Sequence, residues 1–117
     1  MLEQALICLA TTIFMEARGE PLAGQLAVGY VLYRRADFKS ENICNEMKKP
    51  YQFSWYGKLK PPDPSSLYNT SYYTIAHQIL NFKAKDYSKG ATNFHSVYVN
   101  PKWNMRERVR INNHIFY

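Results

Sequence analysis

Residues 2–21, LEQALICLATTIFMEARGEP, decide how this chain folds. Their apolar side chains recur at helical spacing, at Leu6, Leu9, Ala10, Ile13 and Phe14. This spacing predicts a core-facing helix from Leu2 to Ala17. Gly19 terminates it, and Pro21 pushes the residue before it out of the helical region of backbone conformation.

Glu16 is placed by this pattern in the last turn of a buried helix, beside an irregular loop. Apolar surroundings and the negative end of the helix dipole both raise a carboxyl pKa, whereas Arg18 would lower it by turning inward. A carboxyl that stays protonated near neutral pH suits a general acid. The alternative is a solvated residue at a helix end.

The remainder of the chain predicts more helices and then a small β element. The predicted helices are 21–36, 42–47 with Ser40 as its cap, and 67–82. Between them, residues 49–66 form a loop because Pro and Gly forbid long regular structure there. This loop is rich in aromatic residues: Tyr51, Phe53, Trp55 and Tyr56. Two strands are predicted at 94–99 and 114–117, giving an α+β fold that is mostly helical.

Length and composition indicate a single folded domain spanning residues 1–117, with 46% hydrophobic and 21% charged residues. The sequence has no apolar run of the roughly 20 residues that a membrane span requires. Glu3 stands where a signal peptide would be basic, so we expect a chain made in the cytoplasm without its own export signal. We also expect Cys8 and Cys44 to be free thiols, with Cys8 buried, as in a reducing compartment.

The net charge of +6 predicts attraction to an anionic partner such as a cell wall, acidic lipid headgroups or nucleic acid. The basic residues are scattered and form no dense block, which argues against a dedicated nucleic-acid-binding arm.

Four sequence blocks in this order closely resemble the SleB-type cell-wall hydrolases, a family of spore-cortex-lytic enzymes and phage lysins. They are EARGEP (16–21) followed by Gly24-Gln25, QFSW (52–55), GATNFH (90–95), and NPKW (100–103) leading to HIFY (114–117). The resemblance runs from about Cys8 to the last residue. It implies a compact relative of the goose-lysozyme and lytic-transglycosylase fold, in which Glu16 is the catalytic residue.

The resemblance implies cleavage of the β-1,4 bond between N-acetylmuramic acid and N-acetylglucosamine in bacterial peptidoglycan, with no metal or cofactor. Glu16 would protonate the glycosidic oxygen and then serve as base while the muramic C6 hydroxyl closes a 1,6-anhydro ring. A lysozyme-like hydrolase would need a second carboxylate at a set distance. We expect a structural role for Glu20, since Gly19 and Pro21 interrupt the helix between the two acids. The sequence therefore favours the transglycosylase, with hydrolysis as the alternative.

Other candidate substrate-binding residues lie in the remaining blocks. Gln52 and Ser54 are expected to hydrogen-bond N-acetyl groups, and Trp55 either stacks on a sugar or belongs to the core. Strand alternation puts Thr92 and Phe94 on one face and His95 on the other, and the polar residue that faces the cleft would orient substrate. Trp103 walls the groove or closes the core. We expect His114 to be buried and His77 to be exposed without a role.

Three other functions are weaker alternatives. A metal-dependent amidase or peptidase would use His95 and His114, but no metal-binding motif such as H-E-x-x-H is present. A wall-binding module without activity would have no use for the acid at Glu16. A nucleic-acid binder would show steep salt dependence. The preferred hypothesis is a monomeric phage endolysin made in the host cytoplasm, reaching the wall after holin-type release or virion delivery.

Overall fold

The computed structural model describes residues 2–49 and 52–117, which form a helical layer followed by a small sheet. The α-helices are α1 (Leu2–Ala17), α2 (Leu22–Arg35), α3 (Ile43–Met47), α4 (Pro64–Leu67) and α5 (Ser71–Leu80). The strands are β1 (Phe94–Ser96), β2 (Val109–Ile111) and β3 (His114–Phe116). The predicted α+β class is confirmed. The finer assignment to the lysozyme-like fold stays a prediction.

Helix α1 lies at the centre of the helical layer and contacts the other four α-helices. Leu9, Ala10 and Ile13 on this helix are fully buried. Gly29 of α2 lets the helices approach closely, because a Cβ there would lie 2.4 Å from Cδ1 of Ile79 and 3.1 Å from Cδ1 of Ile13. Burial of this apolar surface, at about 25 cal/mol per Å², is the main stabilising contribution to the layer.

The sheet is antiparallel, with β3 between β1 and β2. Its register places Phe94 opposite Phe116 and Val109 opposite the same residue on the other side. Phe116 is fully buried and packs against the end of α2 through Val28 and Val31. The first and third strands were predicted, although β1 is shorter than expected. The second strand was not predicted.

Helix boundaries agree with the predictions at α1 and to within one residue at α2. The predicted helix 67–82 was too long at its start, since α4 ends at Leu67 and Thr70 caps α5 by accepting from the Tyr73 amide at 3.4 Å. Ser40 does not cap α3. It begins a short 3₁₀ turn that leads into the helix.

The predicted aromatic loop is irregular over the described residues 52–63. Phe53 and Trp55 point into the core, and Tyr56 is exposed. Pro50 and Tyr51, which belong to the same prediction, lie outside the described residues. No helix in the described part of the chain is long and apolar enough to cross a membrane.

The prediction of free thiols was wrong. Cys8 of α1 and Cys44 of α3 form a disulfide, with their Cα atoms 5.4 Å apart. Both residues are half-buried, so Cys8 is not simply a buried packing residue. Sequence separation hid the pairing, because the two cysteines come together only after α3 packs against α1. A disulfide is typical of oxidising compartments, and the expectation of a reducing one loses its basis.

Replacing both cysteines, as in Cys8→Ser/Cys44→Ser, should lower the free energy of unfolding by about 2–4 kcal/mol. The bond closes a chain segment with a sequence separation of 36 and restricts the unfolded ensemble. Urea unfolding at neutral pH measures the difference. Wild type with a reducing agent is the control and should match the double variant. Equal stability of wild type with and without the reducing agent would contradict the structural role of the bond.

Candidate functional site

A cleft of about 270 Å³ opens between the ends of α1 and α2 on one side and strand β1 on the other. Its lining combines one carboxyl group, three polar or cationic side chains and an aromatic wall. The lining residues are Glu16, Val31, Arg35, Gln52, Phe53, Asn93, Phe94 and Trp103. Glu16 is the single acid among these lining residues.

Glu16 is half-buried in the last turn of α1. Burial raises the pKa of its carboxyl from 4.5 to about 7, so that protonated and ionised forms coexist near neutral pH. The indole N–H of Trp55 acts on the carboxyl in the opposite direction and lowers the pKa by a smaller amount. The two groups do not reach full hydrogen-bond geometry, and the buried indole nitrogen has no other partner among the described residues.

Arg18 does not turn toward Glu16. Its side chain is exposed, and the guanidinium carbon lies 4.4 Å from the centre of the Phe14 ring. This cation–π contact holds the positive charge on the outer surface. The sequence left the direction of Arg18 open, and the outward direction leaves burial as the dominant influence on the acid.

Arg35 and Gln52, which line the cleft, are both held by a buried acid behind them. Glu46 of α3 accepts from Nε of Arg35 at 3.1 Å and from Nε2 of Gln52 at 3.4 Å, and it pairs with Nζ of Lys49 at 2.7 Å. Burial acts to raise the pKa of Glu46, but the hydrogen bonds from Lys49 and Arg35 outweigh it and keep the pKa below its usual range. Glu46 is therefore ionised at neutral pH.

Asn93 joins the strand side of the cleft to the helical side. With its amide oxygen facing α2, the side chain accepts from Nη1 of Arg35 at 3.0 Å. The same Nη1 donates to the main-chain oxygen of Thr92 at 3.1 Å. The guanidinium thus connects Glu46 on one side to residues 92 and 93 on the other.

Glu20 faces away from the cleft and binds the turn between β2 and β3. Its carboxylate accepts from the Asn113 amide at 3.1 Å and from the side-chain amides of Asn112 and Asn113 at 3.1 and 3.3 Å. Nδ1 of His114 lies 3.6 Å from the same carboxylate. Burial lowers the pKa of His114 more than Glu20 raises it, so this buried histidine is neutral at neutral pH.

The predicted site residues divide into two groups. Gln52 and Trp103 line the cleft with Glu16, and Trp103 is 38% exposed, which leaves its ring accessible. Trp55 is buried as a core aromatic and lines a different groove, so it offers no stacking face to a sugar in the Glu16 cleft. Ser54 is exposed and does not line the cleft, although Gln52 and Phe53 just before it both do.

Thr92 and His95 lie outside the cleft. Thr92 is exposed and lines a neighbouring pocket. The predicted alternation separates Phe94, which lines the cleft, from His95, which does not, but it fails for Thr92, because Asn93 lines the cleft with Phe94 and the strand begins only at Phe94. Nε2 of His95 lies 2.7 Å from the Tyr117 hydroxyl, and its ring centre lies 5.2 Å from that of Trp103. His95 therefore supports the aromatic wall from behind. His77 is exposed, as predicted.

The sequence did not single out Arg35, Asn93 or Glu46. Asn93 lies in the GATNFH block, which is part of the family resemblance but does not indicate that this residue lines the cleft. Arg35 and Glu46 come from helix ends, where charged residues are usually solvated, and nothing in the sequence indicates that they meet. The other acids with clear partners are structural: Asp63 caps α4, and Asp86 pairs with Arg34.

A family model described as Cell Wall Hydrolase matches residues 19–117 of the chain. The match covers the cleft residues from Val31 onward and begins just after Glu16. No match was found among curated proteins or among solved structures. The role of the acid therefore depends on the geometry and electrostatics of the cleft.

The raised pKa of Glu16 predicts a pH-dependent stability difference between wild type and Glu16→Gln. Well below pH 4.5 the carboxyl is protonated in folded and unfolded chains and contributes no difference. As pH rises to about 7, the unfolded chain ionises first, so wild type should lose up to roughly 3 kcal/mol relative to the variant and then level off. Urea unfolding from pH 4 to 8 measures this change. Glu41→Gln, at an exposed acid, is the control, and parallel profiles for wild type and Glu16→Gln would contradict the prediction.

Glu46→Gln should destabilise the protein by about 2 kcal/mol at neutral pH, because Arg35 and Lys49 lose their charged partner. Since the Glu46 pKa is lowered, its stabilising effect is present above the usual carboxyl pKa and is lost as pH falls through the lowered value. The gap between variant and wild type should therefore narrow in acid. Lys49→Gln removes only the exposed partner and should cost less than 1 kcal/mol. A larger loss of stability in Lys49→Gln than in Glu46→Gln would contradict the central role of Glu46 in this network.

Proposed function

The chain belongs to the cell wall hydrolase family, and we propose that it cleaves the glycan strands of peptidoglycan with Glu16 as general acid and base. Family membership supports an enzyme that acts on peptidoglycan. The finer proposal, cleavage of the β-1,4 bond between N-acetylmuramic acid and N-acetylglucosamine, depends on one observation. That observation is a half-buried glutamic acid with a pKa of about 7 at the edge of a polar cleft.

The proposed first step is transfer of the Glu16 proton to the glycosidic oxygen as the bond to the anomeric carbon breaks. A pKa near 7 suits this step, because a substantial fraction of the molecules carries the proton at neutral pH and the ionised product is a usable base. General acid catalysis of this kind contributes roughly 10²–10⁴ in rate. The cleft side chains Arg35, Gln52 and Asn93 offer hydrogen bonds to the sugar, and the exposed face of Trp103 offers a stacking surface.

The proposed second step is intramolecular. The muramic C6 hydroxyl attacks the anomeric carbon, the ionised Glu16 accepts the hydroxyl proton, and a 1,6-anhydro ring forms without water. Two observations favour this route over hydrolysis. Glu16 is the single acid among the cleft-lining residues, and the nearby carboxylates of Glu20 and Glu46 are occupied by amides and cations. A lysozyme-like hydrolase of either stereochemistry would use a second free carboxylate.

The Cys8–Cys44 disulfide and the positive charge are consistent with activity at the cell wall, outside the cytoplasmic membrane. Disulfides persist in oxidising compartments, and the net charge of +6 favours contact with the anionic envelope at low ionic strength. We include in the proposal an endolysin-like role for a monomer, with a holin-type lesion or virion delivery as the route to the wall.

Mass spectrometry of the soluble products from purified peptidoglycan tests the proposal. Wild type should release fragments that end in 1,6-anhydro-muramic acid, and Glu16→Gln should lower their rate of release by at least about 10²-fold. Glu41→Gln, which removes an exposed carboxyl elsewhere, should behave as wild type. Fragments that end in reducing muramic acid would show that the enzyme hydrolyses the bond and is not a transglycosylase. Free peptides, or wall binding with no release at all, would overturn glycosidic cleavage.

A further inference from the structure

A second pocket, of about 600 Å³, adjoins the Glu16 cleft. We call it the basic pocket, and its lining includes Lys89, Arg106, Arg108, Thr92 and Tyr117. The two sites share a wall. Thr92 is the chain neighbour of Asn93 in the cleft, and the Tyr117 ring centre lies 5.3 Å from that of Trp103 at the cleft edge. A ligand that extends out of the cleft past this wall enters the basic pocket.

The basic pocket carries an excess of positive charge. Three cationic side chains line it, and Glu107 is the one acidic side chain among the lining residues. None of the three cations forms an ion pair with a carboxylate in residues 2–49 and 52–117. Arg108 is fixed in place, since its Nη1 donates to the main-chain oxygen of Lys89 at 3.2 Å. The pocket therefore offers guanidinium and ammonium groups to a carboxylate, the pairing that forms charge-assisted hydrogen bonds.

The proposed substrate has carboxylates in the right place for such a pocket. Each muramic residue of peptidoglycan bears a short peptide on its lactyl group, and that peptide ends in, and carries along its length, free carboxylates. The peptide leaves the same sugar whose glycosidic bond would lie at Glu16. Three extended residues span about 10 Å, so a stem peptide can extend well beyond the sugar that carries it.

We propose that the basic pocket binds the carboxylates of the stem peptide on the muramic residue in the cleft. This inference rests on the proposed function. It makes the enzyme selective for glycan strands that still carry their peptides. The cations that line the basic pocket then have a role in substrate choice. Arg106 and Lys89 hold the peptide carboxylates, and Arg108 supports Lys89 through its main chain.

The test compares two soluble substrates, both freed of teichoic acid: uncross-linked glycan strands with their stem peptides, and the same strands after removal of the peptides by an amidase. Wild type should cleave the peptide-bearing substrate with the higher kcat/KM. Lys89→Gln/Arg106→Gln should lose roughly tenfold in kcat/KM on that substrate, mainly through KM, because two solvent-facing ion pairs are removed. On stripped strands the variant should equal wild type.

Lys58→Gln/Lys60→Gln is the matched control, since it removes the same charge from a loop that lines a different groove. It should leave the preference for peptide-bearing strands unchanged. An equal loss for both double variants would reduce the effect to overall charge and overturn the peptide pocket. Equal cleavage of the two substrates by wild type would overturn it as well, while leaving the proposed function intact.

Binding gives a readout that does not depend on turnover. In a Glu16→Gln background, isothermal titration with soluble peptide-bearing strands should give a lower Kd than titration with the stripped strands, and Lys89→Gln/Arg106→Gln should abolish the difference. No product release from either substrate by wild type would overturn the proposed function alone. An undiminished difference in the binding assay would overturn the peptide pocket alone.

Discussion

The Glu20 carboxylate joins the helical layer to the sheet, and the geometry of the cleft depends on this contact. One side chain at the corner between α1 and α2 accepts three N–H groups from the Asn112–Asn113 turn. Hydrogen bonds to a charged acceptor are stronger than neutral ones. The turn leads directly into β3, which pairs with β1. Strand β1 begins at Phe94, on the far wall of the cleft. An acid with no place in the proposed chemistry therefore helps to position that wall relative to Glu16, together with the contacts of Arg35 and the packing of Phe116 on α2.

Two glutamates, one lining the cleft and one behind it, have their pKa values shifted in opposite directions by their surroundings. Glu16 is half-buried near an indole and has no cationic partner, so burial dominates and its pKa rises. Glu46 also has little exposed surface, but it meets Arg35 and Lys49, so its charge is retained. One group can exchange a proton near neutral pH, and the other holds the cleft side chains Arg35 and Gln52 in position. Environment, rather than residue identity, separates the two roles.

The sequence predicted those features that depend on local chemistry. The apolar repeat and the Gly19–Pro21 break predicted α1, its end and the environment of Glu16. Features that depend on residues far apart were missed or wrong. The Cys8–Cys44 bond, the contact of Arg35 with Glu46 and Asn93, and the pairing of β2 form only when distant segments pack together. Ser54 and Trp55 show the same limit on a smaller scale, because a loop has no fixed periodicity from which to predict which side chain faces the cleft.

The order of the cleft residues along the chain has a consequence for synthesis. Glu16 and Arg35 lie in the first third of the chain, whereas Asn93, Phe94 and Trp103 lie in the last quarter. Because translation proceeds from the N-terminus, a ribosome-bound chain can pack its helices long before the opposite wall of the cleft exists. A chain interrupted between Arg35 and Asn93 therefore carries the acid without the opposite wall that would hold a sugar against it. The assembled site appears only when synthesis has passed the strands, so interrupted translation yields fragments that lack a complete cleft.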